Sequence, residues 1–263
     1  MVEGKLIAKS KAQEREQKLA AIRRKRRIQI LIMTAGLFAL IFGAIGIYRS
    51  NLLDVEKIEV TGNKSVATAD IIKTCGINEH TNLLSISSSD IRKKILKNAW
   101  IESVNVKRVF PHTLRLEIRE RSPIASISCG GKFYLIDGDM FVLSEQQYDD
   151  TRDIPTITDL PIDKIKVGEH LINSSLSNAL RCLKSMDTDF RRTISLLSAS
   201  SIDKLSIYNK DNVEILYGDA KHADEKNEVL KTILKEQGQQ VIFIDIRSYP
   251  KTDPILRRMD TVP

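Results

Sequence analysis

Any chemistry in this chain would have to come from three cysteines, four histidines and one glycine-rich turn. Cys75, Cys129 and Cys182 are far apart and form no CxxC pair, so no redox or zinc-knuckle pattern is written here. Cys75 and Cys182 fall in predicted helices beside apolar residues and read as small buried hydrophobes, while the pairing state of Cys129 stays open. His80, His112, His170 and His222 each stand in a loop or turn with no neighbour at metal-ligand spacing, which makes them solvated side chains. Cys129-Gly130-Gly131-Lys132 hints at a phosphate loop, but it lacks the first glycine and the closing Ser or Thr. A strand follows where a helix should begin, so it is a turn. A Ser nucleophile with a Lys base, in a membrane-anchored exported peptidase, is the one enzyme class worth carrying, yet no such pair falls on adjacent elements. No catalytic residue, metal or cofactor is expected, and function must lie in surfaces.

Those surfaces are positioned by the stretch Ile28 to Ile47, in which Gln29 and Thr34 are the only polar side chains. As a helix it is roughly 30 Å long, the thickness of a bilayer's hydrocarbon core. A buried core helix would show a polar stripe, and a signal-peptide core is shorter, with a small-residue cleavage site that Gly46-Ile47-Tyr48-Arg49 does not supply. Arg23, Arg24, Lys25, Arg26 and Arg27 abut the span on one side, against Arg49 and then Lys57 on the other. These five residues set the topology, with the N-terminus in the cytoplasm and the bulk exported. Residues 1–27 hold ten Lys or Arg and three Glu, so the whole formal charge of +7 sits in this arm and the rest is neutral. A basic chain raises nucleic acid as a partner, but a neutral exported part leaves no basic footprint for it. The first 22 residues favour a helix without an apolar face. Ala35, Ala39 and Gly43 make a small-residue stripe that would admit a second helix, or reflect only how common Gly and Ala are in membrane spans.

Beyond the span the pattern becomes mixed. Val55 to Val60 reads as a strand ending at Thr61-Gly62-Asn63. Ser65 or Thr68 can cap a helix from Ala69 to Cys75, stopped by Gly76, and Ser88 or Ser89 can cap a second with Ile91, Ile95 and Leu96 on one face. Two strands follow, Ile101 to Val109 and Leu114 to Arg119, the latter alternating apolar and charged residues, so the two helices must cover one dry face of a sheet. After Pro123 come a hairpin over 133–143, a loop-like stretch over 144–170, and a helix from Leu171 to Met186. Strands at 194–199, 205–208 and 213–217 precede a helix from Ala223 to Lys235 with Val229, Ile233 and Leu234 inward. Val241 to Ile246 reads as the last strand, after which Pro250 and Pro254 stop regular structure. The fold class is α+β: a transmembrane helix, a β-α-α-β-β unit, then a β-rich domain with flanking helices. The boundaries fall at 1–27 for the basic tail, 28–47 for the span, 52–122 and 123–258.

That β-α-α-β-β order directly after a signal anchor resembles a POTRA domain, and in context the chain resembles the FtsQ/DivIB family of bacterial cell-division membrane proteins. The residues that carry the resemblance are 55–63, Trp100-Ile101 with Val104 and Val106, 108–111, 114–121, 123–125, Leu135-Ile136-Asp137 with Phe141, and 244–247. Phe110 departs from the Trp often found before the proline, and Ser126-Ile127-Ser128 from a frequent aromatic. The resemblance implies a single-pass scaffold of the inner membrane at the division septum, which binds FtsB and FtsL and controls septal wall synthesis, with no small-molecule substrate. It also implies that the last strand and the residues beyond it, here Val241, Ile242, Phe243, Ile244, Asp245, Ile246, Arg247, Ser248 and Tyr249, receive an extended partner segment by strand addition. Read without the resemblance, those residues are equally an ordinary buried strand and loop, and Asp245 and Arg247 can pair with each other. The alternative is a POTRA module acting in outer-membrane assembly or polypeptide transport, against which stand a lone POTRA-like unit and the lack of a barrel-type C-terminus.

Overall fold

The computed structural model describes residues 2–78, 81–147, 154–237 and 240–259, with side chains from Arg26 onward. The chain opens on one continuous helix, α1 (Val2–Arg49). Its segment Arg26–Arg49 is 24 residues long, none of it buried, and apolar enough to cross a membrane. The large side chains of this segment, Leu31, Met33, Phe38 and Phe42 among them, all lie exposed. Its length, composition and exposure suggest a membrane anchor.

Contacts divide the protein into two units. The first holds Met1–Ile58, Asn78–Ile86 and Arg108–Leu114, and the second holds the remainder. The second carries most of a three-stranded sheet formed by β1 (Lys57–Thr61), β2 (Ile101–Val109) and β3 (Thr113–Glu120) in the order β1-β3-β2, together with helices α2 (Thr68–Cys75) and α3 (Ser88–Ile95). Leu116 and Ile118 of β3 are buried with Ile71, Cys75, Ile91 and Ile95 of the helices. The other face of the sheet carries ions. Arg115 meets Glu59 at 3.0 Å, Lys107 meets Glu117 at 2.6 Å and Arg119 meets Glu102 at 2.9 Å, so the central strand is paired to both neighbours by charge.

Gly76 ends α2 in the left-handed region at φ 62°, as its position promised. The expected caps are different. Ser87, one residue before Ser88 and two before Ser89, caps α3 by accepting from the Asp90 N–H. Neither Ser65 nor Thr68 caps α2, whose N-cap Ala67 has no side chain to offer. Ahead of the helix Glu120, at the end of β3, accepts from the backbone N–H groups of Lys64, Ser65 and Val66 at 2.7–3.0 Å and so holds the turn that leads into α2. The turn this carboxylate organises begins at Gly62, with φ 86°, where any Cβ would collide with the carbonyl of Ile118.

The rest of the second unit is a nine-stranded sheet in the order β12-β11-β10-β9-β8-β7-β4-β5-β6. Its strands are β4 (Pro123–Cys129), β5 (Lys132–Asp137), β6 (Val142–Gln146), β7 (Thr156–Thr158), β8 (Ile194–Ala199), β9 (Leu205–Asn209), β10 (Glu214–Leu216), β11 (Val241–Asp245) and β12 (Ile255–Arg258). The glycine turn after Cys129 joins β4 to β5, with positive φ at both Gly130 and Gly131, which is what a two-residue hairpin requires. The stretch expected to be loop after residue 144 contains the end of β6 and all of β7, and 148–153 lie outside the described residues. Helix α4 (Ser174–Lys184) buries Leu176, Leu180 and Leu183 against the sheet, and the short α5 (Thr188–Arg192) adds Phe190. In α6 (Ala223–Gln237) the inward row is turned by one residue from that expected. Lys226, Asn227 and Leu230 are buried, with Val229, Ile233 and Leu234 packed at the margin.

Arg121 joins the two sheets: its guanidinium bonds Asp137 at 2.7 Å and lies 4.1 Å from the Phe141 ring centroid.

The Glu120 clamp has a pH signature. Burial raises its carboxyl pKa, but the three N–H bonds outweigh this and hold it below the ordinary glutamate range. A depressed carboxylate stabilises the fold above the unfolded pKa, about 4.3, and loses that contribution as pH falls through the folded value. Glu120→Gln is therefore expected to lower stability by about 1–2 kcal/mol at neutral pH. Urea unfolding of the two forms should converge as the medium is acidified, and a gap that stays constant with pH would refute the role given to the charge.

Candidate functional site

The site to be built is the C-terminal end of the nine-stranded sheet. β9 and β10 run antiparallel, and α6 then carries the chain back so that β11 lies parallel to β10, with Ile215 beside Ile244. Val241, Ile244 and Ile246 are buried, and this row nails β11 to the core. Lys226 of α6 is buried beneath the same end. Its ammonium donates to the carbonyls of Tyr217 at 2.9 Å, Asp219 at 2.9 Å and Arg247 at 3.3 Å, and stands 4.9 Å from the Tyr217 ring centroid. Burial pulls its pKa below the ordinary lysine range, partly offset by Asp219, Cys182 and Asp245. Three carbonyls that no strand satisfies are thus gathered on one cation, which fixes where the chain leaves β11.

Just past β11, Arg247 closes on Asp245 through Nε at 3.0 Å and Nη2 at 2.6 Å. This bidentate pair lowers the Asp245 pKa and raises that of Arg247. A turn follows, in which the Tyr249 N–H bonds Ile246 O and the Lys251 N–H bonds Ser248 O. After Pro254 the chain returns antiparallel as β12, with Ile255 beside Asp245 and Leu256 beside Ile244. Leu256 packs on the core, Ile255 is 62% exposed, and the Arg257 guanidinium lies 4.8 Å from the Phe243 ring centroid. Pairing places Leu196, Tyr208, Glu214, Phe243 and Arg257 in one row across five strands. None of the five is buried, and Tyr208 donates to Glu214 at 2.9 Å.

This geometry corrects the expectation that Val241 to Ile246 is the last strand. β11 is interior to the sheet, and β12, formed after both prolines, is at its end. Pro254 stands immediately before β12, where its missing N–H costs no ladder bond. Of the nine residues named as partner-binding, Val241, Ile244 and Ile246 are core. Ile242, Phe243, Asp245 and Tyr249 are half-buried, and Arg247 and Ser248 are exposed. The residues the sequence reading missed are Ile255 to Arg258, whose only signal was an Ile-Leu pair after Pro254. Among the topology residues, Arg26 and Arg27 are exposed on α1, while the side chains of Arg23, Arg24 and Lys25 lie outside the described residues.

The residue types that could do other chemistry are dispersed. Cys75 and Cys182 are buried, and burial pushes the Cys182 thiol up to about 12. Cys129 points its thiol at Ile162 O, 3.3 Å away. His112 is 3.9 Å from Glu56, His222 is 3.3 Å from Glu225, and His80 lies outside the described residues. Among the described residues no three His, Cys, Asp or Glu side chains gather closely enough to hold a metal.

Two family models match this architecture: "POTRA domain, FtsQ-type" over residues 53–121 and "Cell division protein FtsQ/DivIB, C-terminal" over residues 126–247. The chain belongs to the FtsQ/DivIB family of bacterial cell-division proteins. Among its relatives is cell division protein FtsQ of Geobacter sp. (strain M21), 31% identical over 52% of this chain and 50% of the relative. FtsQ of Corynebacterium glutamicum is 23% identical over 81% of this chain and 93% of that one, and DivIB of Clostridium tetani is 21% identical over 72% and 73%. The match to the Geobacter relative thus spans only half of that protein's length. β12 lies beyond the residues matched by the family's C-terminal model.

If Lys226 holds the end of the sheet as described, Lys226→Met leaves three carbonyls without their donor. A loss of about 3 kcal/mol is expected, or roughly 6–12 °C in Tm for a domain of this size. Calorimetry checks it, and a shift under about 2 °C would contradict the assignment.

Proposed function

We propose that this protein is a single-pass scaffold of the inner membrane, with its basic arm in the cytoplasm and its two sheets outside. There it holds the FtsB/FtsL pair at the division site and so controls septal wall synthesis. Membership of the family supports the division role, and the run Arg23 to Arg27 before an apolar span supports the orientation. The observation that carries the binding site is the sheet order, which ends at β12. An end strand offers backbone N–H and C=O groups along one side, and an extended segment of FtsB added there would gain main-chain bonds for affinity. Side chains reached from that strand would supply selectivity: Ile255 directly, and Phe243, Arg247 and Tyr249 around it. Val241, Ile244 and Ile246 take no part, because they are core.

The test is retention of FtsB and FtsL by the full-length protein in detergent, comparing wild type with Ile255→Lys and, as a control at a 94% exposed position, Ile172→Lys. Loss of a central apolar contact at an interface is expected to weaken retention by about 30-fold for Ile255→Lys, with Ile172→Lys unchanged. Equal retention by all three would remove β12 from the binding site, and failure of wild type to retain either partner would remove the proposed partners.

A further inference from the structure

The first structural unit contains the exit of the apolar helix and three short segments fastened to it. Asn82 donates its side-chain amide to the carbonyl of Tyr48 at 2.8 Å, and Asp54 and Asn82 form a β-bridge. The Leu83 N–H bonds Leu53 O at 2.7 Å and the Val55 N–H bonds Thr81 O at 3.0 Å. Arg108 then donates to Leu83 O at 3.0 Å and Ile86 O at 2.6 Å, and His112 O accepts from the Glu56 N–H at 3.0 Å. The loop 81–86 and the hairpin tip 108–112 are therefore tied to the residues that leave the helix.

On this platform three large apolar side chains stand outward: Leu52 is 62% exposed, Leu84 46% and Phe110 58%. Their neighbour Leu83 is fully buried, whereas Leu84 is turned outward. Phe110 is on the turn between two strands, where water would favour Asn, Asp or Gly. Single exposed apolar residues are ordinary, but these three share a unit with the end of an apolar helix.

Depth is set by length. The 24 residues from Arg26 to Arg49 span about 36 Å as a helix, longer than a hydrocarbon core of about 30 Å. Tyr48 and Arg49 thus reach the interfacial layer, about 5–8 Å thick on each side, where a tyrosine ring and a cation are both favoured. Asn82, bonded to Tyr48 O, is held at that depth, and Leu52 lies four residues on, within a chain reach of about 14 Å.

We propose that Leu52, Leu84 and Phe110 form a seat by which the base of the exported part rests on the outer surface of the bilayer, its side chains inserted among lipid headgroups and upper acyl carbons. The occupant is lipid because the bond to Tyr48 keeps this surface at the membrane whatever else is bound. The seat rests on the reading of α1 as a membrane anchor.

The test uses the full chain with Cys129→Ser, leaving only the buried Cys75 and Cys182, and one added cysteine carrying an environment-sensitive fluorophore. The added sites are Leu84→Cys and Phe110→Cys, with Phe38→Cys in the span and Ile172→Cys on the surface as references. The protein is reconstituted into phosphatidylethanolamine and phosphatidylglycerol vesicles containing lipid spin-labelled high on the acyl chain for sites 84, 110 and 172, and near the chain end for site 38. Labels at 84 and 110 are expected to shift to the blue and to be quenched at least about twofold more than the label at 172. If 84 and 110 behave like 172 while 38 is quenched, the anchor stands and the seat is refuted. If 38 is not quenched either, the anchor itself fails and the seat falls with it.

Discussion

The parallel pairing of β11 with β10 is the interaction on which the C-terminal half depends. Two parallel neighbours need a crossover, and α6 supplies it while bringing Lys226 under the end of the sheet to collect three carbonyls. Only with β11 in that slot does β12 have a strand to pair with, Leu256 a core to enter and Phe243 a cation to lie beneath. The charged pair Asp245–Arg247 sits at the bend between them, half in water, where its worth is more geometric than energetic. In the proposed binding mode, the edge presented to a partner is thus decided by a helix and a buried lysine that would touch no partner.

A second constraint acts at the other end. Between Arg27 and Arg49 there is no charged side chain, and a helix of that kind is stable as an exposed surface only in lipid. With α1 as the proposed membrane anchor, everything after Arg49 is tethered to the bilayer. On the proposed reading, confinement would raise the effective concentration of an anchored partner without any new contact, so a modest strand edge would suffice as a docking site. The polar face of the small sheet, with its three cross-strand ion pairs, suits a surface that stays wet.

Much of this was legible in the sequence where one physical pattern dominates. β2 and β8 have the bounds their residues predict, and β3 alternates as its Leu and Arg residues say it must. Gly76 and Gly130-Gly131 mark conformations that other residues resist. Features that depend on distant partners were not legible. The turn that leads into α2 is held by Glu120, more than fifty positions away, and α2 starts at Ala67 with no side-chain cap, so local capping rules pointed to the wrong residues. β7 has three residues and takes its strand character from β4 and β8 on either side. β12 follows two prolines and is short enough to pass for a tail, and missing it made an interior strand look like an edge. The residues that the family resemblance transferred, Val241 to Tyr249, include three that are core.

The central claim is that a partner strand joins the sheet at β12. Amide hydrogen exchange on the full-length protein, with and without the FtsB/FtsL pair, tests it most directly. Strand addition would satisfy backbone amides on the outer side of β12, so exchange at residues 255–258 should slow by at least about tenfold on binding, with β6 at the opposite end of the sheet unchanged. Binding that leaves 255–258 at their free rates, with protection arising on another element, would contradict the account.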